Sequence, residues 1–220
     1  MKVAILVLAV HGNIYDGLID KGIRKTWGSV KIENVDIYYY YGDSIVNEVV
    51  DDIMNVNVPE GLMNIGKKTI EAFKLILNMK KYDYVFRTNA SSYVNQKLMY
   101  DIAYLAPRTE FYSGVVGNYR GLKYASGSGY FISKDLMLYA IDHEYDLDST
   151  YIDDVALGLL LKHVCIVPAD RQDFTEQYQI CKIPELYRRI HHYRCKYERD
   201  RSIDVMTMLK LHELTINKII

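Results

Sequence analysis

Residues Val3 to Val10 are eight apolar residues in a row, preceded by a single lysine and followed by His11-Gly12-Asn13. An unbroken run of this kind, without polar alternation, reads as a strand over 2–10 that is covered on both faces, the condition of a parallel sheet flanked by helices. It is too short to cross a bilayer and lacks the separate apolar region and cleavage site of a signal peptide. No other stretch is long and apolar enough to span.

The next segments alternate as such a sheet requires. Tyr15 to Thr26 places Leu18, Ile19 and Ile23 on one helical face, and Val35 to Tyr41 reads as a second strand ending at Gly42-Asp43. Pro59 opens a helix on which Leu62, Ile65, Thr69, Phe73 and Ile76/Leu77 recur at three and four residues. Tyr82 to Thr88 is a third strand, followed by polar Asn-Ala-Ser-Ser and a helical segment through Leu98, Ile102 and Leu105. This βαβ alternation predicts an α/β fold with a Rossmann-like mixed central sheet.

Further along, the pattern predicts a strand from Glu110 to Gly117, a Gly/Ser-rich turn, a short strand from Tyr130 to Ser133 and a helix after Lys134. Asp153-Asp154 begins another helix carrying Val155, Leu159 and Leu160, and Val164 to Val167 reads as a last core strand before Pro168. Residues 185–201 are crowded with Arg, His and Tyr, whereas 203–214 have helical apolar spacing. The expectation is a single domain over 1–220, with 168–220 forming a C-terminal flap and a packing helix.

Composition narrows the function classes. With 27 Lys+Arg against 28 Asp+Glu, a net charge of -1 supplies no broad positive field for nucleic acid or an acidic membrane surface. Half of the residues are apolar and 25% are charged, the balance of a globular protein. Cys165, Cys181 and Cys195 match no zinc or CxxC spacing, so a reduced, soluble, cytoplasmic chain is expected. The 21 tyrosines suit a polar pocket and equally the codon bias of an AT-rich genome.

In an open α/β sheet, ligands gather at the carboxyl ends of strands, here Val10 to Asn13, Tyr41 to Asp43 and Arg87 to Ser92. None of these is a GxGxxG or GxxxxGK[ST] loop, so nicotinamide and ATP chemistry lack their mechanical parts. His11-Gly12 reads as a ligand contact or a turn. Asp43 reads as an acceptor for a base or ribose, or as a turn former.

Four motifs in order carry a family likeness. Arg24-Lys25-Thr26-Trp27-Gly28, Asn64-Ile65-Gly66-Lys67-Lys68-Thr69, the segment Tyr124 to Ser133 and Asp153-Asp154-Val155-Ala156-Leu157-Gly158 match R-x-T-W-G, N-L-x-x-K-T, Y-x-x-G-x-G-Y-x-x-S and E-D-V-x-x-G. Together they resemble the GT-A glycosyltransferases of the β-1,3-galactosyltransferase and fringe type, over about residues 3 to 167. The resemblance implies a GT-A fold and an inverting transfer of a sugar from a nucleotide-sugar donor, a UDP-sugar, to a glycan hydroxyl. It makes Asp154 the general base, with Asp153 orienting the acceptor or nearby backbone. Donor contacts would come from His11, Gly12, Asn13, Arg24, Asp43, Lys68, Arg87, Asn89 and Ser91. Gly127, Ser128, Gly129 and Tyr130, with the late His191 and His192, would face the sugars or the diphosphate; Arg188, Arg189 and Arg194 lie beside those histidines.

The chain departs from the family at its acidic motif. Where the family has K-T-D-D-D-x-x-x-N, this chain has Arg87-Thr88-Asn89-Ala90-Ser91-Ser92-Tyr93-Val94-Asn95. The carboxylates that would hold Mn²⁺ on the diphosphate are replaced, so no metal cofactor is certain and use of Mn²⁺ stays open without its usual ligands. Two readings stay open: a metal-independent transferase that stabilises the leaving diphosphate with cations such as Arg24, Lys68 and Arg87, or a catalytically silent nucleotide- or glycan-binding relative. A purely structural module is a third class, and would expose an apolar face instead of a ligand crevice.

Overall fold

The computed structural model describes residues 1–79, 82–174 and 190–217. Its strands are β1 (Val3–Leu8), β2 (Val35–Tyr41), β3 (Glu48–Val50), β4 (Ile53–Asn55), β5 (Tyr84–Asn89), β6 (Ser92–Val94), β7 (Tyr112–Tyr119), β8 (Leu122–Ser133), β9 (Ile166–Pro168), β10 (Gln172–Asp173) and β11 (His192–Arg194). The helices are α1 (Asn13–Gly17), α2 (Ile65–Met79), α3 (Gln96–Leu105), α4 (Lys134–Asp142), α5 (Asp153–Leu160) and α6 (Ser202–Ile216). The chain divides into two compact units, one of 1–10, 36–89 and 105–169, the other of 11–35, 90–104 and 170–220.

The first unit holds a mixed sheet in the order β3-β4-β2-β1-β5-β8-β7-β9. Strand β1 runs parallel to β5, with Val3 opposite Tyr84 and Leu8 opposite Asn89. Its five residues Val3 to Val7 are fully buried, as the unbroken apolar run requires. Helices α2, α4 and α5 share an apolar core with the sheet in which Phe73 and Ile76 meet residues such as Ala4, Leu6, Met137 and Leu157. Helix α2 starts later than Pro59 implies, because Gly61 at φ 141° and a 3₁₀ turn over Leu62–Asn64 intervene.

Three local expectations are corrected. The Gly/Ser segment 125–129 is not a turn: it belongs to the twelve-residue strand β8, and the turn is Arg120-Gly121. Both of those residues have positive φ, the geometry a two-residue hairpin demands. The segment before Pro168 is an edge strand and not a core strand: β9 pairs only with β7, and Val167 and Pro168 are exposed. Proline fits there because an edge leaves its missing N–H without consequence. The hairpin β3–β4 adds an edge beside β2 that no strong apolar alternation announced.

In the second unit, the single helix expected over 15–26 is broken. Helix α1 passes into a π-helical turn at Leu18–Gly22 and then 3₁₀ turns at Ile23–Lys25 and Trp27–Ser29. Gly22 lies under α6, where an added Cβ would stand 2.9 Å from Met208 Sδ. That close approach, with glycine at 17 and 22 in one short segment, disfavours a regular helix. A three-stranded sheet in the order β10-β11-β6 completes the unit with α3 and α6. The Trp27 indole donates to Ser92 O at 2.9 Å, and Tyr93 donates to Thr215 on α6 at 2.9 Å.

Candidate functional site

In the first unit the carboxyl ends of β1, β2 and β5 lie together. Ala9 N–H donates to Tyr40 O at 3.1 Å, and Leu8 stands opposite Asn89. Strand β8 runs antiparallel to β5, with Tyr130 opposite Arg87 and Gly129 opposite Thr88, so Gly127 and Ser128 flank the same end. Helix α5 begins there with Asp153 and Asp154 in its first turn, where the exposed N–H groups favour negative charge.

Arg87 organises this end from inside. It is 2% exposed, and its guanidinium donates to Tyr40 Oη at 2.9 Å, to Asp153 Oδ2 at 2.6 Å and to the Gly127 carbonyl. Burial opposes the Arg87 charge, and Tyr40 and Asp153 more than offset it, so its pKa lies above the ordinary value. Tyr40 Oη also bonds Thr69 Oγ1 at 3.0 Å, linking β2 to α2. The fork expected to grip a diphosphate is therefore directed at protein groups.

Asp154 sits beside this network. Its Oδ2 accepts Gly127 N–H at 2.8 Å and its Oδ1 accepts Val155 N–H at 2.9 Å. Burial pushes its carboxyl above the usual range, with Asp153 adding to the effect and Gly127, Arg87 and Val155 opposing it. A carboxylate of raised basicity is suited to accepting a proton. A Cβ on Gly127 would stand 3.0 Å from Arg87 Nη1 and 3.1 Å from Asp153 Oδ2, so glycine lets the strand close over the ion pair.

Lys68 is equally interior, 1% exposed, with Nζ donating to Ala9 O at 2.6 Å and to Glu60 Oε1 at 2.5 Å. Burial lowers its pKa and Glu60 opposes that shift. The same Glu60 oxygen accepts Gly42 N–H at 2.7 Å, while Asp43 Oδ1 accepts Glu60 N–H at 2.8 Å. Asp43 is exposed and holds φ 59°, which fits a turn former at the end of β2. Ser128 O accepts Thr88 Oγ1 at 2.7 Å, and Tyr130 is buried edge-on against Tyr112.

The other expected site residues lie in the second unit and are described there. His11 is largely exposed, 3.9 Å from Asp16, and Asp16 also accepts Gly12 N–H at 3.1 Å just before Asn13 opens α1. Arg24 pairs with Asp20 at 3.7 Å. Ser91 Oγ accepts from Arg201, and His192 Nε2 bonds Ser92 Oγ at 3.1 Å. His191 is buried, which pushes its pKa down to about 4. Arg188 and Arg189 fall outside the described residues.

The sequence reading missed Tyr40, Glu60 and Thr69 as polar partners. Period-2 alternation along β2 does place Tyr38 and Tyr40 on one face, but nothing in a run of four tyrosines marks which hydroxyl meets an arginine. Asn89, Ala90 and Ser91 offer no anionic oxygen for Mn²⁺. Among the described residues no group of three His, Cys, Asp or Glu could hold a metal ion, so the residues present do not fit that cofactor. No helix among them is long and apolar enough to cross a membrane.

Several solved glycosyltransferase structures share this fold. The galactosyltransferase LgtC, in complex with donor and acceptor sugar analogues, matches with a TM-score of 0.54 at 15% identity, over 97% of this chain and 95% of that one. A glycosyltransferase involved in glycosylation of the major capsid of PBCV-1 matches with 0.58 at 12%, over 95% and 100%. GlyE of Streptococcus pneumoniae TIGR4 matches with 0.59 at 11%, over the full chain but 65% of GlyE. No family model and no curated protein matches the chain. At these identities the likeness is one of fold: the chain has the Rossmann-like mixed α/β architecture of GT-A glycosyltransferases, and the finer likeness to the fringe type rests on its sequence motifs.

Proposed function

We propose that this protein is a GT-A glycosyltransferase that moves a sugar from a nucleotide-sugar donor, a UDP-sugar, to a glycan hydroxyl with inversion and without a bound metal. The observation that carries the reading is the half-buried carboxyl of Asp154, held by the Gly127 and Val155 N–H groups at the end of the sheet where this fold class gathers its ligands. Asp154 takes the proton of the acceptor hydroxyl as that oxygen attacks the anomeric carbon. The electron pair of the breaking bond leaves with the diphosphate. Asp153 and Arg87 position Gly127 and Asp154 rather than touch the donor. Asn89 and Asp43 remain as neutral and anionic hydrogen-bond partners for a ribose or base.

A second reading, a silent nucleotide- or glycan-binding relative, is favoured by one observation: Arg87 and Lys68, two cations at this end of the sheet, are both held in internal ion pairs. The test is calorimetry with UDP and UDP-sugars, first in chelator and then with Mn²⁺, alongside an assay of nucleotide release by wild type and Asp154→Asn. We expect binding in chelator that Mn²⁺ does not tighten. Asp154→Asn should retain binding and lose about 10²-fold or more in turnover, the scale of a missing general base. Because the base must be ionised, the wild-type rate should fall on the acid side at a pH above the usual carboxylate range. Absence of nucleotide binding in both conditions would sink the donor assignment, and binding without turnover would favour the silent relative.

A further inference from the structure

The first unit holds a cavity of about 660 Å³ at the end of α5 that lies away from Asp153 and Asp154. Buried Tyr112 and Leu161 line it, with Val116 and Leu122 of the β7–β8 hairpin and Ile166 and Pro168 of β9. Small-molecule sites occupy about 300–1,000 Å³ and are mostly apolar, with a few polar groups that fix orientation. Val116 is 38% exposed, so apolar surface meets water here.

Charge within the cavity is one-sided. Its charged lining is Lys123 and Lys162, with no carboxylate, in a chain whose 27 Lys+Arg are matched by 28 Asp+Glu. Both lysines are exposed, and among the described residues neither has a carboxylate at ion-pair distance. Lys162 lies just past the carboxyl end of α5, yet its ammonium makes no hydrogen bond to a carbonyl among the described residues. An added β-strand fits the adjoining sheet edge poorly. Ala169 N–H donates to Gly114 O at 3.0 Å, so by alternation Pro168 faces away from β7, where it has no N–H to offer. Apolar walls beneath free ammonium groups match a small amphiphile instead, with hydrocarbon to bury and an anion to meet the lysines.

We propose that this cavity binds a single-chain amphiphile with an anionic head, its hydrocarbon against the β7–β8 hairpin and β9 and its carboxylate or phosphate at Lys123 and Lys162. The site is independent of the sugar-transfer reading, since Asp153 and Asp154 stand in the first turn of α5 and the cavity is lined from its last turn and beyond.

Calorimetry of sodium octanoate, sodium decanoate and decyl phosphate, each below its micelle concentration, tests it on wild type, Lys123→Gln, Lys162→Gln and Val116→Asp. Cys165 is exposed and lines the cavity, so its alkylation by iodoacetamide, read at its own peptide by mass spectrometry, reports occupancy. We expect decanoate to bind wild type about tenfold more tightly than octanoate, the effect of burying two more methylenes. Each lysine substitution should weaken decanoate about two- to fivefold, the scale of an exposed ion pair. Val116→Asp, which sets a like charge on the apolar wall, should weaken it more, and decanoate should slow Cys165 alkylation. The tighter of decanoate and decyl phosphate identifies the head group. No binding of any probe, equal affinities of octanoate and decanoate, affinities that no substitution moves, or binding that leaves Cys165 alkylation unchanged overturns the site. A wild-type dimer that Val116→Asp dissociates, with no amphiphile bound, overturns it in favour of an interface between copies of this chain. Should Val116→Asp fail to fold, the two lysine variants, at exposed positions, carry the comparison.

Discussion

Arg87 shows how a residue placed correctly on a strand can still act in an unexpected direction. Its position at the end of β5 follows from the apolar run before it, yet its guanidinium turns inward to Tyr40, Gly127 and Asp153. Removing one member of a buried pair leaves the other charge without compensation, which costs about 3–5 kcal/mol. Arg87→Met should therefore lower unfolding free energy by about that much in urea titration, with Asp153→Asn in the same chain recovering part of it. A loss below about 1 kcal/mol would show that the pair is solvated. The motif letters of Asp153 and Asp154 were legible from the sequence. What they bond was not, because Gly127 is 27 positions from Asp154 and Arg87 is 66 from Asp153 along the chain.

At the scale of elements, the contact between α5 and β8 sets the geometry around Asp154. Gly158, one turn along α5, faces Tyr124: a Cβ there would lie 2.5 Å from Tyr124 Cβ and 3.0 Å from its Cα. Alanine would gain about 1 kcal/mol in helix propensity. The collision is with backbone and Cβ atoms that cannot rotate away, and overpacking of this kind costs about 1–3 kcal/mol. Gly158→Ala is thus expected to lower the melting temperature and to reduce turnover, by tilting the first turn of α5 away from Gly127. An unchanged melting temperature would mean that the helix can shift freely. Long elements with strong periodicity, such as β1, β2 and α6, were readable within a few residues, and α2 was readable except at its start. The 125–129 strand was not, because small residues chosen for close packing look the same in sequence as those chosen for a turn.

For the molecule as a whole, near-zero net charge means that any affinity for a diphosphate comes from placed cations and not from a general field. It also means that pH acts through particular buried groups. His191 is buried and its pKa is depressed from 6.5 to about 4. The unfolded chain binds a proton between those values and the folded chain does not, so this contribution is complete above 6.5 and is lost as pH falls through about 4. The loss amounts to about 3 kcal/mol. Denaturant titrations at pH 7 and pH 4 should show that His191→Gln loses less stability across the interval than wild type; equal losses would mean that His191 charges freely in the fold.

The β1, β2, α2 and β5 framework of the first unit was determined by the sequence, because an eight-residue apolar run and 3.6-residue periodicity are local properties with few structural solutions. Absence of an acidic metal motif was equally local, since it concerns which residues occupy one loop. Only tertiary structure decided which cations are spent on internal carboxylates, as Arg87 is on Asp153 and Lys68 on Glu60. Pairing is set by distance across strands and helices far apart in sequence, and a buried charge takes its properties from whatever the fold places next to it.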